Sequence, residues 1–359
     1  MKKICLIDYD MSVRGGVEQV TAALSAALAD HYEVHLLSLC MAGQPAYELD
    51  PRVKFRVLLE QEGRLRTMLT QLRPLLRDYF KSNGIEVAII QGNYPGLLTA
   101  PARFFGKTKL IFCDHGALMN QWHQKDIVFI RWITSALCHK VVTLTNQSRE
   151  DYIRKFHLPQ KKVCCIHNWI DLDIPRSEAY DIQSKRIVSA GRFGKEKGFD
   201  MLVKAFAPVA KKHPDWQLDL FGDGEMMPVV KELVSELGLE KQVNLLGMRS
   251  DLAQRYRDYA MYVLPSYREG MPLVLLEAKA NRLPIVSFDI MTGPREIVRH
   301  GVDGILVKPY DLDEMARAMC SLIEEESLRQ AMSVRSQEDL DKFSKAAIVR
   351  QWQTLIDEK

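Results

Sequence analysis

Short runs of apolar, β-branched residues alternate with amphipathic segments along almost the whole chain. In the first half KICLID (3–8), EVHLLSL (33–39), EVAIIQ (86–91), KLIFCD (109–114) and KVVTLT (140–145) read as strands. In the second half RIVSAG (186–191), WQLDLFG (216–222), VNLLG (243–247), MYVLPS (261–266) and LPIVSFD (283–289) play the same part. Between them lie segments such as GVEQVTAALSAALAD (16–30), with apolar residues at helical spacing. Alternating strands and helices predict parallel sheets covered by helices on both faces, an α/β fold.

A polar stretch, DLDIPRSEAYDIQSK (171–185), interrupts this alternation near the middle and is the candidate linker. It predicts two doubly wound, Rossmann-like domains, 1–172 and 173–342, facing across a cleft. The final segment, FSKAAIVRQWQTLIDE, carries an apolar stripe of Ala347, Ile348, Trp352, Leu355 and Ile356. Residues 343–359 are therefore expected to form a helix that packs back on the first domain. No short-period repeat or low-complexity segment is present.

A length of 359 residues, 47% hydrophobic and 26% charged, fits two globular domains. The net charge of +3 hides an asymmetry, because residues 51–170 hold 19 Lys/Arg against 8 Asp/Glu. Such a basic stretch predicts a surface for anions or a solvated basic face. Seven scattered cysteines, without CxxC or a His/Cys metal spacing, read as reduced thiols. Asp8 and Asp10 interrupt the first apolar run too early for a signal peptide, and no run reaches the length of a membrane span. The expected location is cytoplasmic, with peripheral attachment to the inner face of the membrane open to the basic region.

Three strand-to-helix loops carry candidate chemistry. VSAGRFGKEKGFDML (188–202) supplies Arg192 and Lys197 between glycines at a helix entry. Backbone amides, a planar guanidinium and a point-charge ammonium together suit phosphate oxygens, while a plain basic turn is the alternative. YDMSVRGGVEQV (9–20) places Gly15 and Gly16 before a helix, where the backbone can approach a phosphate or sugar. A simple glycine turn fits equally well. The third, SYREGMPLVLLEAK (266–279), sets Glu269 at a helix mouth and Glu277 on the helix behind it.

Pro272 is expected at the first helical position, and the amides of Gly270, Met271 and Leu273 are expected to face an anion. A carboxylate about 5 Å from a phosphate costs about 3 kcal/mol at an effective dielectric of 20. A ligand with hydroxyls at both ends and phosphates between them gives that cost a reason. Glu277 would accept from ribose hydroxyls, and Glu269 would meet a sugar whose anomeric carbon becomes positive as its bond breaks. Helix capping by Glu269 and solvent exposure of Glu277 are the simpler alternatives.

The pair Glu269…Glu277, GRFGKEKG (191–198) upstream, RGGVE (14–18) near the start, HNWID (167–171) and TGPREIV (292–298) together resemble family 4 of the retaining glycosyltransferases. The resemblance spans essentially the whole chain and implies the two-domain GT-B architecture. It implies that Arg192 and Lys197 neutralise a leaving diphosphate, that Glu277 binds the ribose, and that Glu269 supports the oxocarbenium-like sugar. It further implies that Gly16 approaches the distal phosphate and that His115, in CDHG, reaches the sugar's primary hydroxyl or reacting centre. Asp114 beside it either orients the ring or caps a turn. Pro272 replaces a common glycine, and HNWID replaces a Pro-Asn-Gly pattern. Asp-x-Asp pairs at 8/10, 171/173 and 311/313 read as background, so neither metal nor other cofactor is expected.

On the acceptor side, GRLRTMLTQLRPLLRDYFKS (63–82) interleaves Arg64, Arg66, Arg73, Arg77 and Lys81 with leucines, although Pro74 is expected to break or restart the helix. NQWHQKDIVFIRWITSALCHK (120–140) adds Trp122, Phe129 and Trp132. These suit an anionic membrane surface, or core-facing helices with snorkelling arginines. No groove-reading motif or aromatic platform points to nucleic acid. The expected activity is transfer of a hexose, with a lean to UDP-sugars, to a saccharide or lipid-linked saccharide of a surface polysaccharide or lipopolysaccharide. A sugar-nucleotide epimerase, a sugar-phosphate-dependent synthase and a catalytically silent partner subunit are the alternatives.

Overall fold

The computed structural model describes residues 1–104, 106–170, 180–249 and 251–358. Most of the candidate linker, residues 171–179, lies outside the described residues, as does the pair Asp171/Asp173. In chain order the first half forms β1 (Lys3–Asp8), α1 (Gly16–Leu28), β2 (Glu33–Cys40), β3 (Lys54–Leu59), α2 (Leu65–Asn83), β4 (Val87–Gln91), α3 (Asn93–Thr99), β5 (Lys109–Asp114), α4 (Lys125–Leu137), β6 (Lys140–Thr143), α5 (Asn146–Phe156) and β7 (Val163–Cys165). The second forms β8 (Arg186–Ala190), α6 (Phe199–Lys212), β9 (Gln217–Phe221), α7 (Met227–Glu236), β10 (Val243–Leu245), α8 (Leu252–Arg255), β11 (Met261–Leu264), α9 (Leu273–Ala280), β12 (Ile285–Phe288), α10 (Pro294–Ile297), β13 (Gly304–Val307), α11 (Leu312–Glu324), α12 (Glu326–Arg335) and α13 (Lys345–Asp357).

The chain divides into two compact units, 1–168 with 348–359, and 169–347. Among the described residues the first holds a parallel sheet ordered β3-β2-β1-β4-β5-β6-β7, the second one ordered β10-β9-β8-β11-β12-β13. The central strands are apolar on both faces, as sheets sandwiched between helices require: Ile4, Leu6 and Ile7 of β1 and Ile187 and Val188 of β8 are fully buried. In each sheet the winding direction reverses once, between β1 and β4 and between β8 and β11. Parallel sheets bind ligands beyond the carboxyl ends of the strands at such reversals. The candidate loops after β1 and β8, and the stretch after β11, all start there.

Two helices differ from the expectation or extend it. The helix α2 runs unbroken through Pro74, which the sequence pattern assigns to a break. Pro74 and Thr70 both lie on the exposed face, where water can reach the Thr70 carbonyl that loses its intrahelical donor. The helix α13 buries Ile348, Val349, Trp352, Leu355 and Ile356 in the first unit. Its carboxyl end is held by cations: Lys109 Nζ donates to the carbonyls of Leu355 and Glu358 at 2.8 and 2.7 Å, and Lys2 Nζ to that of Ile356 at 3.0 Å. Lysines at a helix C-terminus complement its negative dipole end.

Candidate functional site

In the second unit β8 stops at Ala190 and the chain turns through 191–198 into α6. Gly198 adopts a left-handed conformation (φ 66°), and a Cβ there would lie 2.3 Å from the Pro265 carbonyl oxygen. Only glycine lets this turn press against the end of β11. A second loop buttresses it: Phe193 N–H donates to Asp223 O (2.9 Å) and Met226 N–H to Phe193 O (2.8 Å). A Cβ on Gly222 would stand 1.8 Å from Gly191 O, so FGDGEMM supports the 191–198 loop through close backbone packing.

The loop carries Lys197 to Glu269. Lys197 Nζ lies 2.8 Å from Glu269 Oε1, which also accepts from Ser266 Oγ at 2.7 Å. Thr292 Oγ1 donates to the Glu269 carbonyl at 2.7 Å, so TGPREIV backs the glutamate's main chain. Arg192 does not join this pair: its side chain is 74% exposed and bonds Glu196 at 2.8 Å. Pro272 is the residue before α9, with ψ 98°, and Leu273 is the first helical residue, one later than expected. The extended ψ fits the bracket formed by Gly293, whose missing Cβ would meet the Pro272 ring at 2.7 Å. Gly270 and Met271 lie in the preceding loop.

Glu277, on α9, is half-buried and accepts from Tyr256 Oη at 3.3 Å. Desolvation raises its pKa above the ordinary glutamate value, and the Tyr256 hydrogen bond pulls the other way. Tyr262 packs edge-on to Tyr256 and exchanges hydrogen bonds of 3.0 Å with the N–H and carbonyl of Ala190, fixing the end of β8. These tyrosines escaped the motif reading. The same helix is pinned from beneath by Lys279, fully buried, whose Nζ reaches Ile297 O (2.8 Å), Asp303 Oδ2 (3.0 Å) and Asp339 Oδ1 (2.7 Å).

In the first unit Gly15 precedes α1 and Gly16 opens it. Neither needs a positive φ, and a Cβ on Gly16 would meet nothing within 4 Å. Open space over the helix mouth leaves room for a ligand at this glycine. His115 follows β5 and its Nε2 lies 2.6 Å from Gln91 Oε1. Burial pushes the imidazole pKa down to about 4 against the opposing pull of Asp114. Asp114 does not orient the ring. Its carboxylate sits 2.9 Å from buried Arg131 Nε, accepts from Tyr152 Oη at 2.6 Å, and accepts the Gly116 N–H at 3.1 Å. Gln91, which no motif flagged, is the hydrogen-bond partner instead.

The acidic pairs have local employment. Asp8 accepts from Thr21 Oγ1 (2.8 Å), and burial raises its pKa to about 6. Asp10 accepts from Ser12 N–H (2.9 Å), and Asp311 caps α11 through Glu314 N–H (2.9 Å). On the outside of the first unit, Arg66, Arg73, Arg77 and Lys81 of α2 are exposed. So are Trp122, Phe129 and Trp132, the last two with ring centroids 5.9 Å apart. Among the described residues no helix is long and apolar enough to cross a membrane.

Comparison with known proteins gives the same two-part division. The family described as Glycosyltransferase Family 4 matches residues 14–174, and that described as Glycosyl transferases group 1 matches 173–339. The amylovoran biosynthesis glycosyltransferase AmsD of Erwinia amylovora is 27% identical over 99% of this chain and 100% of its own. An N-acetylgalactosamine-N,N'-diacetylbacillosaminyl-diphospho-undecaprenol 4-alpha-N-acetylgalactosaminyltransferase of Campylobacter jejuni is 27% identical over 98% of both chains. In fold, sucrose-phosphate synthase of Thermosynechococcus elongatus is similar with a TM-score of 0.84 over 99% of this chain and 98% of its own, at 20% identity.

Proposed function

The chain belongs to the family 4, group 1 glycosyltransferases and has their GT-B fold, and on that footing we propose that it moves a hexose from a UDP-sugar to a hydroxyl of a lipid-linked saccharide. The transfer retains the configuration at the anomeric carbon and serves the building of a surface polysaccharide or lipopolysaccharide. The observation that carries this reading is the Lys197–Glu269 pair at 2.8 Å, with Glu277 along the helix that follows. One cation and two carboxylates in that order match phosphate, sugar and ribose in a nucleoside diphosphate sugar.

The diphosphate draws Lys197 away from Glu269 and is held by Lys197, by Arg192 and by the amides of Gly270, Met271 and Leu273. Each charge-assisted hydrogen bond contributes about 1.5–3 kcal/mol. Glu269, released from its ion pair, then faces the anomeric carbon as positive charge develops there. The bond from that carbon to the phosphate oxygen breaks, the acceptor oxygen bonds to the same carbon, and the acceptor proton leaves with the nucleoside diphosphate. Glu277 accepts from the ribose, and the family resemblance assigns Gly15 and Gly16 to the distal phosphate and His115 to the sugar. Two cations suffice to neutralise the leaving group, so the transfer needs no metal.

The exposed arginines of α2 and the Trp122/Phe129/Trp132 rings suit the anionic inner face of a membrane carrying the acceptor lipid. The C. jejuni relative, whose name specifies a diphospho-undecaprenol acceptor, supports the lipid-linked class. A nucleotide-release screen over UDP-, GDP- and ADP-sugars with lipid-linked saccharides tests the reading. Release of UDP that depends on acceptor, with an α-linked product from an α-linked donor, is expected. Nucleotide release from none of them, or product formation without acceptor, overturns it. Replacing Arg66, Arg73 and Arg77 by Gln should cut co-sedimentation with phosphatidylglycerol vesicles, and unchanged binding would refute the membrane role.

A further inference from the structure

Away from the donor loops, the second unit brings together three side chains that lie far apart in the chain. The helix α6 starts beyond the carboxyl end of β8 and α11 beyond that of β13, so both run back toward the amino ends of the strands. Leu202, Phe206 and Val209 of α6 share one apolar core with Met315, Met319 and Leu322 of α11, which holds the two helices together. At their finishing ends stand His213, the residue after α6, and Cys320 and Glu324, four apart on α11 and so on one face of it. His213 and Glu324 are 111 positions apart, so no short spacing motif announces them.

The ligating atoms converge. His213 Nε2 lies 2.9 Å from Glu324 Oε1, and one ligating atom from each of His213, Cys320 and Glu324 falls within 4.8 Å of the other two. Bonds of about 2.0–2.3 Å around a tetrahedral ion set its ligand atoms about 3.2–3.8 Å apart, so side-chain shifts of about 1 Å close the set. The backbone beneath the imidazole is fixed, since His213 N–H donates to Val209 O at 2.8 Å. Cys320 is half-buried against the core. Hydrogen bonds from Lys212 and His213 hold the exposed Glu324 carboxyl below the ordinary glutamate range, so it is ionised. The Lys212 ammonium, 2.5 Å from Glu324 Oε1, is the competitor for that carboxylate, but an exposed, screened ion pair is weakly held.

We propose that His213, Cys320 and Glu324 bind a divalent cation of the zinc class, which clips the end of α6 to α11 and keeps solvent in its fourth position. A thiolate, an imidazole and a carboxylate together select a borderline-soft ion over magnesium or calcium, which take oxygen ligands. Binding replaces the His213–Glu324 hydrogen bond and the Lys212 ion pair by three metal bonds, and the Cys320 thiol proton leaves to solvent. Burial, joined by the Glu324 charge and opposed by Lys212, raises the thiol pKa, so the proton stays in place until the ion arrives. The site lies at the other end of the strands from Lys197 and Glu269 and takes no part in the transfer, so it stands or falls apart from the function proposed above.

The test uses the full chain without an affinity tag, freed of metal by chelation, and its probes are Co(II), Zn(II) and Mg(II) themselves. Co(II) is expected to give the near-ultraviolet thiolate charge-transfer band and the intense visible bands of a tetrahedral site, and to be displaced by Zn(II) but not by Mg(II). In competition with a chromophoric chelator, C320A, H213Q and E324Q should each bind Zn(II) at least about tenfold more weakly, and C320A should lose the charge-transfer band. K212M separates a metal site from a surface ion network: it removes the competing ammonium and should tighten Zn(II) by about two- to fivefold. Circular dichroism and thermal midpoints of the metal-free proteins check folding; the wild-type spectrum and K212M, an exposed substitution, keep the test decisive if another variant misfolds. Co(II) bound without a charge-transfer band, a band of wild-type strength in C320A, unchanged Zn(II) affinity in C320A, H213Q and E324Q, or weaker binding by K212M overturns the site.

Discussion

Lys197 and Glu269 neutralise each other in the protein without ligand, and that pairing decides what substitution at either residue does. Removing the Glu269 charge frees the ammonium for phosphate while stripping the sugar of its counter-charge. Glu269→Gln is therefore expected to bind UDP as tightly as the wild type or more so, with kcat falling about a hundredfold or more. Calorimetry beside a turnover assay checks it; a parallel loss of UDP affinity would contradict the exchange of partners. His115 gives a second prediction with a definite sign. Its folded-state pKa near 4 lies below the ordinary 6.5, so between those values the unfolded chain binds the extra proton. The stabilisation is complete above pH 6.5 and is lost as pH falls toward 4, by at most about 3 kcal/mol. Urea denaturation of His115→Gln across that window should show a shallower pH dependence than the wild type.

At the scale of elements, α9 is short, with eight residues, and carries a functional carboxylate, so its position has to be imposed from outside. Lys279 imposes it through Asp303 and Asp339, with Arg299 sharing Asp303 at 2.6 Å. Lys279→Met leaves those acids with one cation fewer in a buried place and should cost about 3–5 kcal/mol. A thermal midpoint lowered by about 6 °C or more in calorimetry is the expected outcome, and no shift would remove the pinning role. The central strands and their loops were legible because continuous apolar, β-branched runs, with β4 and β8 leading directly into glycine, have few other uses. The strands β3, β7 and β13 were not. All three are sheet edges without a clean apolar signature: KFRVLL carries Lys54 and Arg56, VCC has one β-branched residue beside two cysteines, and GILV opens on a glycine. In the candidate site, charged residues in Gly-rich motifs were legible; Gln91, Tyr256, Tyr262 and Ser266 were not, because ordinary polar residues acquire meaning only from a partner distant in sequence. Pro74 misled for the opposite reason, since helix breaking depends on whether the freed carbonyl reaches water.

For the molecule as a whole, the division into units does not follow the order of the chain. Residues 348–359 complete the first unit after the second has been traversed. Loss of residues 345–359 uncovers the partners of Trp352, Leu355 and Ile356 and leaves Lys2 and Lys109 without the carbonyls they cap. Such a truncation should yield an aggregating protein whose first unit is cleaved by protease at low ratios while the second persists, as limited proteolysis with mass spectrometry would reveal. Equal resistance of both units would mean that α13 is dispensable for the first.

The threading of α13 also bears on how the protein is made. A ribosome delivers the strands of the first sheet early, yet the helix that covers part of it emerges only after about 180 further residues have been synthesised. During that interval the nascent first sheet is incomplete and exposes apolar surface, while the second unit can close on its own. The half made first is thus the half finished last, and newly made chains should depend on chaperones until residues 348–358 have left the exit tunnel.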